Sequence, residues 1–188
     1  MISFRGNYIC DLNIMKRQKL DDFTPDTASF VRLHSHKIQD ISAISRAVKS
    51  WDSQKQIAAS IVDGLTHAHF ENSYFYPNEC IRDYYIATTQ KENFDNLIPE
   101  KIFGAVEVSK TSPNKSKIEF LEIKPEYSFD NIKRAIKGTG HSIMTILKKM
   151  YAKTDISVMP ISSAIEFYVK EGFVPDDTRK YYYILKRH

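Results

Sequence analysis

The chain has 188 residues, of which 42% are hydrophobic and 27% are charged, and this length and composition are typical of one globular domain with a full core. The formal net charge of +4 suits an anionic ligand and is too small to indicate a nucleic-acid-binding protein by itself. No apolar run is long enough to cross a membrane, and the N-terminus lacks the apolar segment of a signal peptide. The two cysteines follow no recognisable pattern, so we expect a cytoplasmic protein.

Hydrophobic periodicity predicts an α/β (α+β) protein with an N-terminal extension over residues 1–26 and a domain over residues 27–188. The extension opens with ISFRGNYIC, which has the composition of a strand, and continues as a polar segment. The predicted strands cover residues 28–33, 83–88, 101–108, 118–123, 155–159, 173–174 and 181–185. The predicted helices cover residues 40–51, 53–65 and 163–170, with a further helix that opens at Gly138 and Gly140 and runs to Met150. The three strands between residues 83 and 123 are expected to form a meander.

Three local signals mark the ends of these helices. Asp40 is the predicted N-cap of the first helix, because its carboxylate can accept a hydrogen bond from a backbone N–H of the first turn. Ser163 and Glu166 have the spacing of a capping box at the start of the last helix. Gly172 is predicted to end that helix as a C′ glycine.

The glycine pair Gly138 and Gly140 follows a predicted buried strand and opens a helix. Glycine lets the backbone approach an anion closely, and the first turn of the helix adds unpaired N–H donors and the positive end of its dipole. Lys133, Arg134 and Lys137 place cations beside the same turn. The segment therefore predicts a phosphate-binding turn.

Two motifs extend this interpretation. In the first motif, Ile123-Lys124-Pro125 precedes Lys137-Gly138-Thr139-Gly140-His141-Ser142, which stands at the head of a helix. The second motif is the segment SAIEFYVKEGF, which contains Ala164, Tyr168 and Gly172-Phe173. Together they resemble the acyl-CoA pyrophosphate motif (Arg/Gln-x-x-Gly-x-Gly/Ala) and the C-terminal helix signature of the GNAT superfamily, the Gcn5-related N-acetyltransferases. The predicted order of elements over about residues 28–188 is also that of the family.

The sequence departs from the family pattern at three places. Pro125 stands thirteen residues before Gly138, so the intervening segment contains an insertion. Ala135 stands where the pyrophosphate motif has Arg or Gln, with Arg134 one residue away. Ile161 replaces an Asn that is common before the C-terminal signature, and Ser162 or Ser163 is the candidate for its polar role.

The resemblance implies the GNAT acyl-CoA N-acyltransferase fold, a mixed and mostly antiparallel sheet flanked by helices. In this fold the fourth and fifth strands of the family splay apart to hold the pantetheine arm of acetyl-CoA. The pyrophosphate rests on the N–H groups of the glycine turn. The cofactor-binding residues that the resemblance implies are Leu121, Glu122, Ile123, Arg134, Lys137, Gly138, Thr139, Gly140, His141, Ser142, Val158 and Ser163.

The implied reaction is the transfer of an acetyl group from acetyl-CoA to a primary amine by direct attack in a ternary complex. Glu119 and Glu122 are the candidates for the base that removes the amine proton, and a regular strand would point them to opposite faces. The alternative for each is a solvated or salt-bridged strand residue. Tyr168 stands where the family commonly has the acid that protonates the departing thiolate, and its alternative is a packing role beneath the sheet.

Other polar and aromatic groups leave alternatives open. His34 with His36, and His67 with His69, have a spacing that a metal site could use, but no Cys or carboxylate cluster accompanies them, so we expect no metal. The aromatic run at residues 74–76 either lines the acceptor pocket or caps the core.

The sequence does not distinguish whether the acceptor of the acetyl group is a small-molecule amine or a protein lysine or N-terminus. The first alternative function is a degenerate GNAT protein that binds CoA without catalysis. The second is a nucleic-acid-binding module that would use Lys133, Arg134, Lys137, Lys148 and Lys149. These residues are more typical of the cationic rim of a phosphate site and of a solvated helix face. The strand YYYIL is a candidate homodimer interface, and no membrane partner is expected.

Overall fold

The protein is described by a computed structural model that covers residues 8–19, 22–51, 56–71, 81–127 and 135–187. The helices are α1 (Ile38–Lys49), α2 (Gln56–Glu71), α3 (Thr139–Met150) and α4 (Ile165–Lys170). The strands are β1 (Tyr8–Lys19), β2 (Asp22–Leu33), β3 (Ile81–Thr88), β4 (Ile102–Ser112), β5 (Lys115–Ile123), β6 (Ile136–Lys137), β7 (Asp155–Val158), β8 (Val174–Pro175) and β9 (Tyr183–Leu185). Among these residues, no helix combines the length and the apolar character that crossing a membrane requires.

The strands form one mixed sheet in the order β6-β1-β2-β3-β4-β5-β7-β9-β8. All neighbours are antiparallel except β5 and β7, which are parallel. The predicted meander of β3, β4 and β5 is confirmed. The parallel pair follows from the connection through α3, because parallel neighbours need a long crossover.

A hydrophobic core lies on each face of the sheet, since alternate residues of a strand point to opposite sides. On one face, α3 and α4 cover a core that includes Leu12, Phe30, Tyr85, Val106, Ile118, Ile143 and Leu147. On the other face, α1 and α2 cover a core that includes Val31, Ile44, Leu65, Ile86 and Ala105. The inward stripes of the helices therefore hold the sheet between two apolar layers.

The N-terminal part of the described chain belongs to the sheet. The sequence suggested residues 1–26 as an extension packed on or extending from the domain. Of these, residues 8–19 form β1 and residues 22–26 form the first part of β2. Leu12 and Ile14 are 0% and 4% exposed in the core beneath α3. The short strand β6, which periodicity did not predict, pairs with β1 through Met15 and Lys16. This pairing brings the end of β1 next to the glycine turn.

The helix ends correct two predictions and confirm one. Asp40 is not the N-cap of α1, because the helix begins earlier with Lys37 as N-cap. The Asp40 carboxylate instead accepts a 3.0 Å hydrogen bond from the backbone N–H of His34, which ties the end of β2 to the first turn of α1. Gly172 has φ of +90° and follows α4 as predicted, in the left-handed region that glycine adopts without strain.

The capping-box prediction for α4 is wrong. A short 3-10 helix, Ser162–Ala164, precedes α4, whose N-cap is Ala164 with no side-chain capping hydrogen bond. Glu166 pairs with Lys170 one turn later in the helix, at 2.7 Å. The 3-10 turn therefore moves the helix start past Ser163.

Candidate active site

The site is organised around the point at which β5 and β7 separate. The two strands pair at four positions, the last of which joins Ile118 to Val158. β5 then continues to Ile123, where β4 still pairs with it, whereas β7 ends at Val158. Among the described residues no strand pairs with the other edge of β5 after Ile118, so a cleft opens between β5 and β7.

A β-bulge on β5 stands at the start of this cleft. Glu107 of β4 pairs with Phe120, while the next residue, Val108, pairs with Ile118. Glu119 is therefore an extra residue on β5 that has no counterpart on β4. A bulge bends its strand and increases the local twist. This gives a physical reason for the separation of β5 from β7 directly after Ile118.

The bulge also changes the direction of the side chains on β5. Ser109 and Ala105 are four residues apart on β4 and share the α1–α2 face of the sheet. Ser109 Oγ donates a 2.6 Å hydrogen bond to Glu119, and Ala105 pairs with Glu122. Both carboxyl groups therefore lie on the same face. The prediction that they point to opposite faces is wrong, because the extra residue shifts the alternation by one.

Glu119 is held in an ion pair at the mouth of the cleft. Its second carboxylate oxygen contacts the Lys117 ammonium, which lies 5.6 Å from the centre of the Tyr182 ring. Burial disfavours the charged form of Lys117, but the hydrogen bond and the charge of Glu119 outweigh it, so the pKa of Lys117 is raised. The Glu119 carboxylate is thus kept in place by two donors of the protein.

Glu107 is a buried carboxylate beside the bulge that sequence reasoning did not single out. It is 0% exposed, and its Oε1 accepts a hydrogen bond from Arg82. Its Oε2 has no hydrogen-bond partner among the described residues. Burial raises the pKa of Glu107, although Arg82 acts in the opposite direction. The available signal was the charge within the otherwise apolar stretch IFGAVEV, because a charge in a buried strand is rarely without a structural or chemical role.

The glycine turn has the geometry of an anion site. Gly138 is the N-cap of α3 with φ of +81°, and a Cβ added to it would meet no atom within 4 Å. The N–H of Ser142 donates to the Gly138 carbonyl at 2.9 Å as the first helical hydrogen bond. The N–H groups of Thr139, Gly140 and His141 precede that bond and have no acceptor within the helix. These three donors and the helix dipole face the open side of the turn.

Tyr168 lies on the face of the sheet opposite to the two glutamates. Its ring packs against those of Phe167 and Phe173, with centroids 5.0 and 5.5 Å away. Burial raises its pKa above the usual value of a phenol. Its hydroxyl has no hydrogen-bond partner in the part of the chain that is described. The same core contains the predicted cleft residues Leu121, Ile123 and Val158.

No family model and no curated protein sequence matches the chain. Among solved structures, it is similar to GCN5 of Tetrahymena, with a TM-score of 0.51 and 11% identity over 81% of this chain and 91% of that chain. It is also similar to an acetyltransferase of Thermus thermophilus, with a TM-score of 0.50 and 10% identity over 84% of this chain and 96% of that chain. The chain has the GNAT fold. The Bacillus subtilis N-acetyltransferase YlbP in complex with coenzyme A also matches, with a TM-score of 0.46 and 16% identity over 85% of this chain and 96% of that chain.

Within the GNAT fold, several side chains of the glycine turn anchor it to its surroundings. His141 Nδ1 lies 2.7 Å from Glu171 Oε1, and Glu171 Oε2 accepts a 2.7 Å hydrogen bond from the Lys148 ammonium. Ser142 Oγ donates to the backbone carbonyl of Asn13 on β1. A Cβ on Gly140 would come within 3.2 Å of the Phe167 ring, so glycine allows α4 to approach α3 closely. These contacts position the backbone donors of the turn.

The other residues that were predicted to bind the cofactor lie at separate places in the chain. Lys137 lies on β6 with its ammonium 3.6 Å from the centre of the Phe23 ring. Ser163 is exposed in the 3-10 helix before α4. Arg134, Lys133 and the aromatic run at residues 74–76 lie outside the described residues. The cofactor roles of these residues stay predictions.

His34, His36 and His69 lie at the junction of β2, α1 and α2. The rings of His34 and His36 are 5.1 Å apart, and His69 Nδ1 lies 2.5 Å from the carbonyl oxygen of Ser35. Among the described residues, no group of three or more His, Cys, Asp or Glu side chains has the arrangement of a metal site. These contacts join the end of α2 to the loop before α1.

Proposed function

We propose that the chain is an acyl-CoA-dependent N-acyltransferase that transfers an acetyl group from acetyl-CoA to a primary amine. The observation that supports this most strongly is the separation of β5 and β7 after Ile118 and Val158. Because the two strands are parallel, their carboxyl ends lie at the same edge of the sheet, where ligands of such sheets commonly bind. The chain continues from these ends to the glycine turn and to α4, so the cleft and the anion site lie on connected elements.

Acetyl-CoA supplies an activated acetyl thioester in this proposal. The pantetheine arm would lie along the backbone of β5 at Leu121–Ile123, which offers main-chain groups on the side that β7 leaves open. The pyrophosphate would accept hydrogen bonds from the N–H groups of Thr139, Gly140 and His141. The fit rests on the open space around Gly138, where an added Cβ would meet no atom within 4 Å.

The base would act from the α1–α2 face. The acceptor nitrogen must lose a proton as it attacks the thioester carbonyl, and Glu119 and Glu122 both present carboxyl groups on this face. Either carboxylate can accept the proton directly or through a water. Glu107 lies behind them and holds Arg82 beside the bulge, which makes it a positioning residue in this proposal.

The acid would act from the opposite face. When the carbon–sulfur bond breaks, the CoA thiolate needs a proton, and Tyr168 is the phenol in the core beneath the cleft. Its raised pKa means that it still holds its proton at neutral pH. Base and acid would then approach the reacting carbonyl from the two sides of the sheet, with the thioester between them.

A CoA-binding protein without catalysis is the second candidate. The observation that favours it is the ion pair of Glu119 with Lys117, which occupies one of the two candidate bases. The nucleic-acid module receives less support, because Lys148 is paired with the buried carboxylate of Glu171 and Lys137 lies on the Phe23 ring.

The two candidates are separated by measuring the free thiol released from acetyl-CoA in the presence of primary amines. The amines should include small monoamines, polyamines and a lysine-containing peptide. Release that requires both the protein and one class of amine, with the acetylated amine found by mass spectrometry, is the result we expect. Tight binding of acetyl-CoA with no amine-dependent release from any class would favour the non-catalytic protein.

A further inference from the structure

The side chain of Lys117 is directed over the opening of the cleft. Lys117 lies on β5 one residue before Ile118, whose pair with Val158 is the last one between β5 and β7. Its ammonium contacts the carboxylate of Glu119, the bulged residue after Ile118, and lies 5.6 Å from the centre of the Tyr182 ring. Tyr182 comes directly before the residue of β9 that pairs with Val158, which places it level with the chain after β7. Both groups that contact the ammonium therefore belong to residues past the last pair of the two strands.

Lys117 is a primary amine in contact with a candidate base. A base has to lie within hydrogen-bond reach of the proton that it removes. The Lys117 ammonium meets this requirement at Glu119 Oε2, while Glu119 Oε1 is fixed by the 2.6 Å hydrogen bond from Ser109 Oγ. In the proposed reaction the nitrogen of the acceptor has to occupy the same place beside the carboxylate. Lys117 thus stands where an acceptor amine would stand.

The ion pair determines how the Lys117 nitrogen could react. Burial alone would lower the pKa of Lys117, but the hydrogen bond and the charge of Glu119 outweigh it and raise the pKa. The nitrogen therefore holds its proton at neutral pH and has no free electron pair until that proton leaves. The proton can pass to Glu119 along the existing contact as the nitrogen approaches a thioester. Because the amine is already in position, no second molecule has to be ordered before the attack.

We propose that the protein acetylates its own Lys117 from acetyl-CoA bound in the cleft between β5 and β7. This inference rests on the proposed function and names one amine of the chain as an acceptor of the same site. In the reaction a proton passes from Nζ to Glu119, Nζ forms a bond to the thioester carbonyl carbon, and the carbon–sulfur bond breaks with its electron pair on sulfur. The ammonium loses two protons as it becomes an amide; in net terms one protonates the CoA thiolate and one is released to water. The amide is neutral, so acetylation ends the ion pair with Glu119.

The test incubates the purified full-length protein with acetyl-CoA and no other amine, and follows the acetylation of each lysine over time by peptide mass spectrometry. We expect Lys117 to react at least about tenfold faster than Lys153, an exposed lysine in the turn after α3, because its nitrogen is held beside the base. Uncatalysed acetylation has the opposite order, since it favours exposed amines over Lys117, whose side chain is 22% exposed and ion-paired. The rate constant at Lys117 should not depend on the protein concentration, as for a reaction within one molecule.

Glu119→Gln distinguishes a base from a carboxylate that only holds the lysine. Loss of the ion pair makes the ammonium easier to deprotonate, so a merely structural role predicts faster acetylation of Lys117 in this variant. We expect instead a decrease of about 100-fold at Lys117, at the low end for the loss of a general base, with no change at Lys153. Gly138→Glu, which places a carboxylate at the anion site, should also slow Lys117 and leave Lys153 unchanged. Thermal unfolding shows that each variant is folded before the rates are compared.

The outcomes separate this inference from the proposed function. Acetylation of an added amine without acetylation of Lys117 above the level of Lys153 would overturn the inference and leave the proposed function intact. Acetylation of Lys117 that is as fast in Glu119→Gln as in the wild type would do the same. If neither Lys117 nor any added amine is acetylated faster than in the urea-unfolded protein, the inference and the proposed function are overturned together.

Discussion

Glu119 and Tyr168 lie on opposite faces of the sheet, and Glu119 stands where β5 and β7 separate. Glu119 is the bulged residue of β5 and reaches Ser109 on the α1–α2 face, whereas Tyr168 packs in the core beneath α3 and α4. In the proposed reaction, a ligand in the cleft meets the carboxylate from one side and the phenol from the other. This arrangement suits an acyl transfer in which one proton leaves the amine and another reaches the sulfur.

Replacing Tyr168 by Phe should lower kcat with little change in the affinity for acetyl-CoA. The expected decrease is about 100-fold, at the low end of the range for the loss of a general acid. Because its hydroxyl has no partner among the described residues, the melting temperature should change little. Steady-state kinetics and thermal unfolding measure the two effects. Retention of full turnover in the variant would remove Tyr168 from the mechanism.

The pH dependence of kcat provides an independent check on Tyr168. Burial raises the pKa of this phenol above its usual value of about 10, so it stays protonated over the whole neutral and mildly alkaline range. We therefore expect no decrease in kcat from loss of this proton between about pH 7 and pH 9.5. A decrease in that window that disappears in Tyr168→Phe would show that the phenol titrates there, contrary to its buried position.

Replacing Tyr151 by Phe should destabilise the fold by about 1–3 kcal/mol. The Tyr151 hydroxyl donates a 2.7 Å hydrogen bond to the buried carboxylate of Asp83 and lies 3.0 Å from the hydroxyl of Tyr85. Burial raises the pKa of Tyr85 to about 12, so both phenols remain neutral and serve as hydrogen-bond groups. Urea unfolding measures the loss. Tyr183→Phe is the control, because the Tyr183 hydroxyl has no hydrogen-bond partner in the described part of the chain, and an equal loss in both variants would contradict the account.

Asp176 should make the stability of the protein sensitive to acid. Hydrogen bonds from the hydroxyl and the N–H of Thr178, followed by the Arg179 guanidinium, lower the pKa of Asp176. A lowered pKa means that the carboxylate stabilises the folded state above its unfolded pKa of about 3.9, and this stabilisation is lost as the pH falls further. Asp176→Asn should thus be less stable than the wild type at neutral pH, and the difference should narrow below about pH 4. Urea unfolding at several pH values tests this, and a difference that does not depend on pH would contradict it.

The sequence predicted most helices and strands because their periodicity is a local property. The apolar spacing of Ile143 and Leu147 defines α3, and the glycines before it define where the helix begins. The strands of the meander could also be predicted from the sequence, since β-branched and aromatic residues dominate them. Each of these features depends on residues that are neighbours in the chain.

Features that depend on distant pairing could not be predicted. The bulge at Glu119 exists only because Glu107 and Val108 of β4 pair with Phe120 and Ile118, and regular alternation gave the wrong direction for one glutamate. The attachment of β6 to β1 joins segments that are far apart in the chain, so the proximity of Arg17 to the glycine turn has no local signal. The burial of Glu107 beneath α2 is likewise a tertiary property.

The central claim is that the glycine turn holds the pyrophosphate of acetyl-CoA, and calorimetric titration of acetyl-CoA into two variants of Gly138 tests it most directly. Gly138→Ala and Gly138→Glu both place a side chain at φ of +81°, so they share the same backbone strain. In both variants the added Cβ meets no atom within 4 Å. Only the glutamate adds a negative charge where the pyrophosphate should lie. The account predicts binding to the wild type, weaker but measurable binding to the alanine variant, and loss of binding to the glutamate variant. Equal affinities of the two variants, or no binding to the wild type, would contradict it.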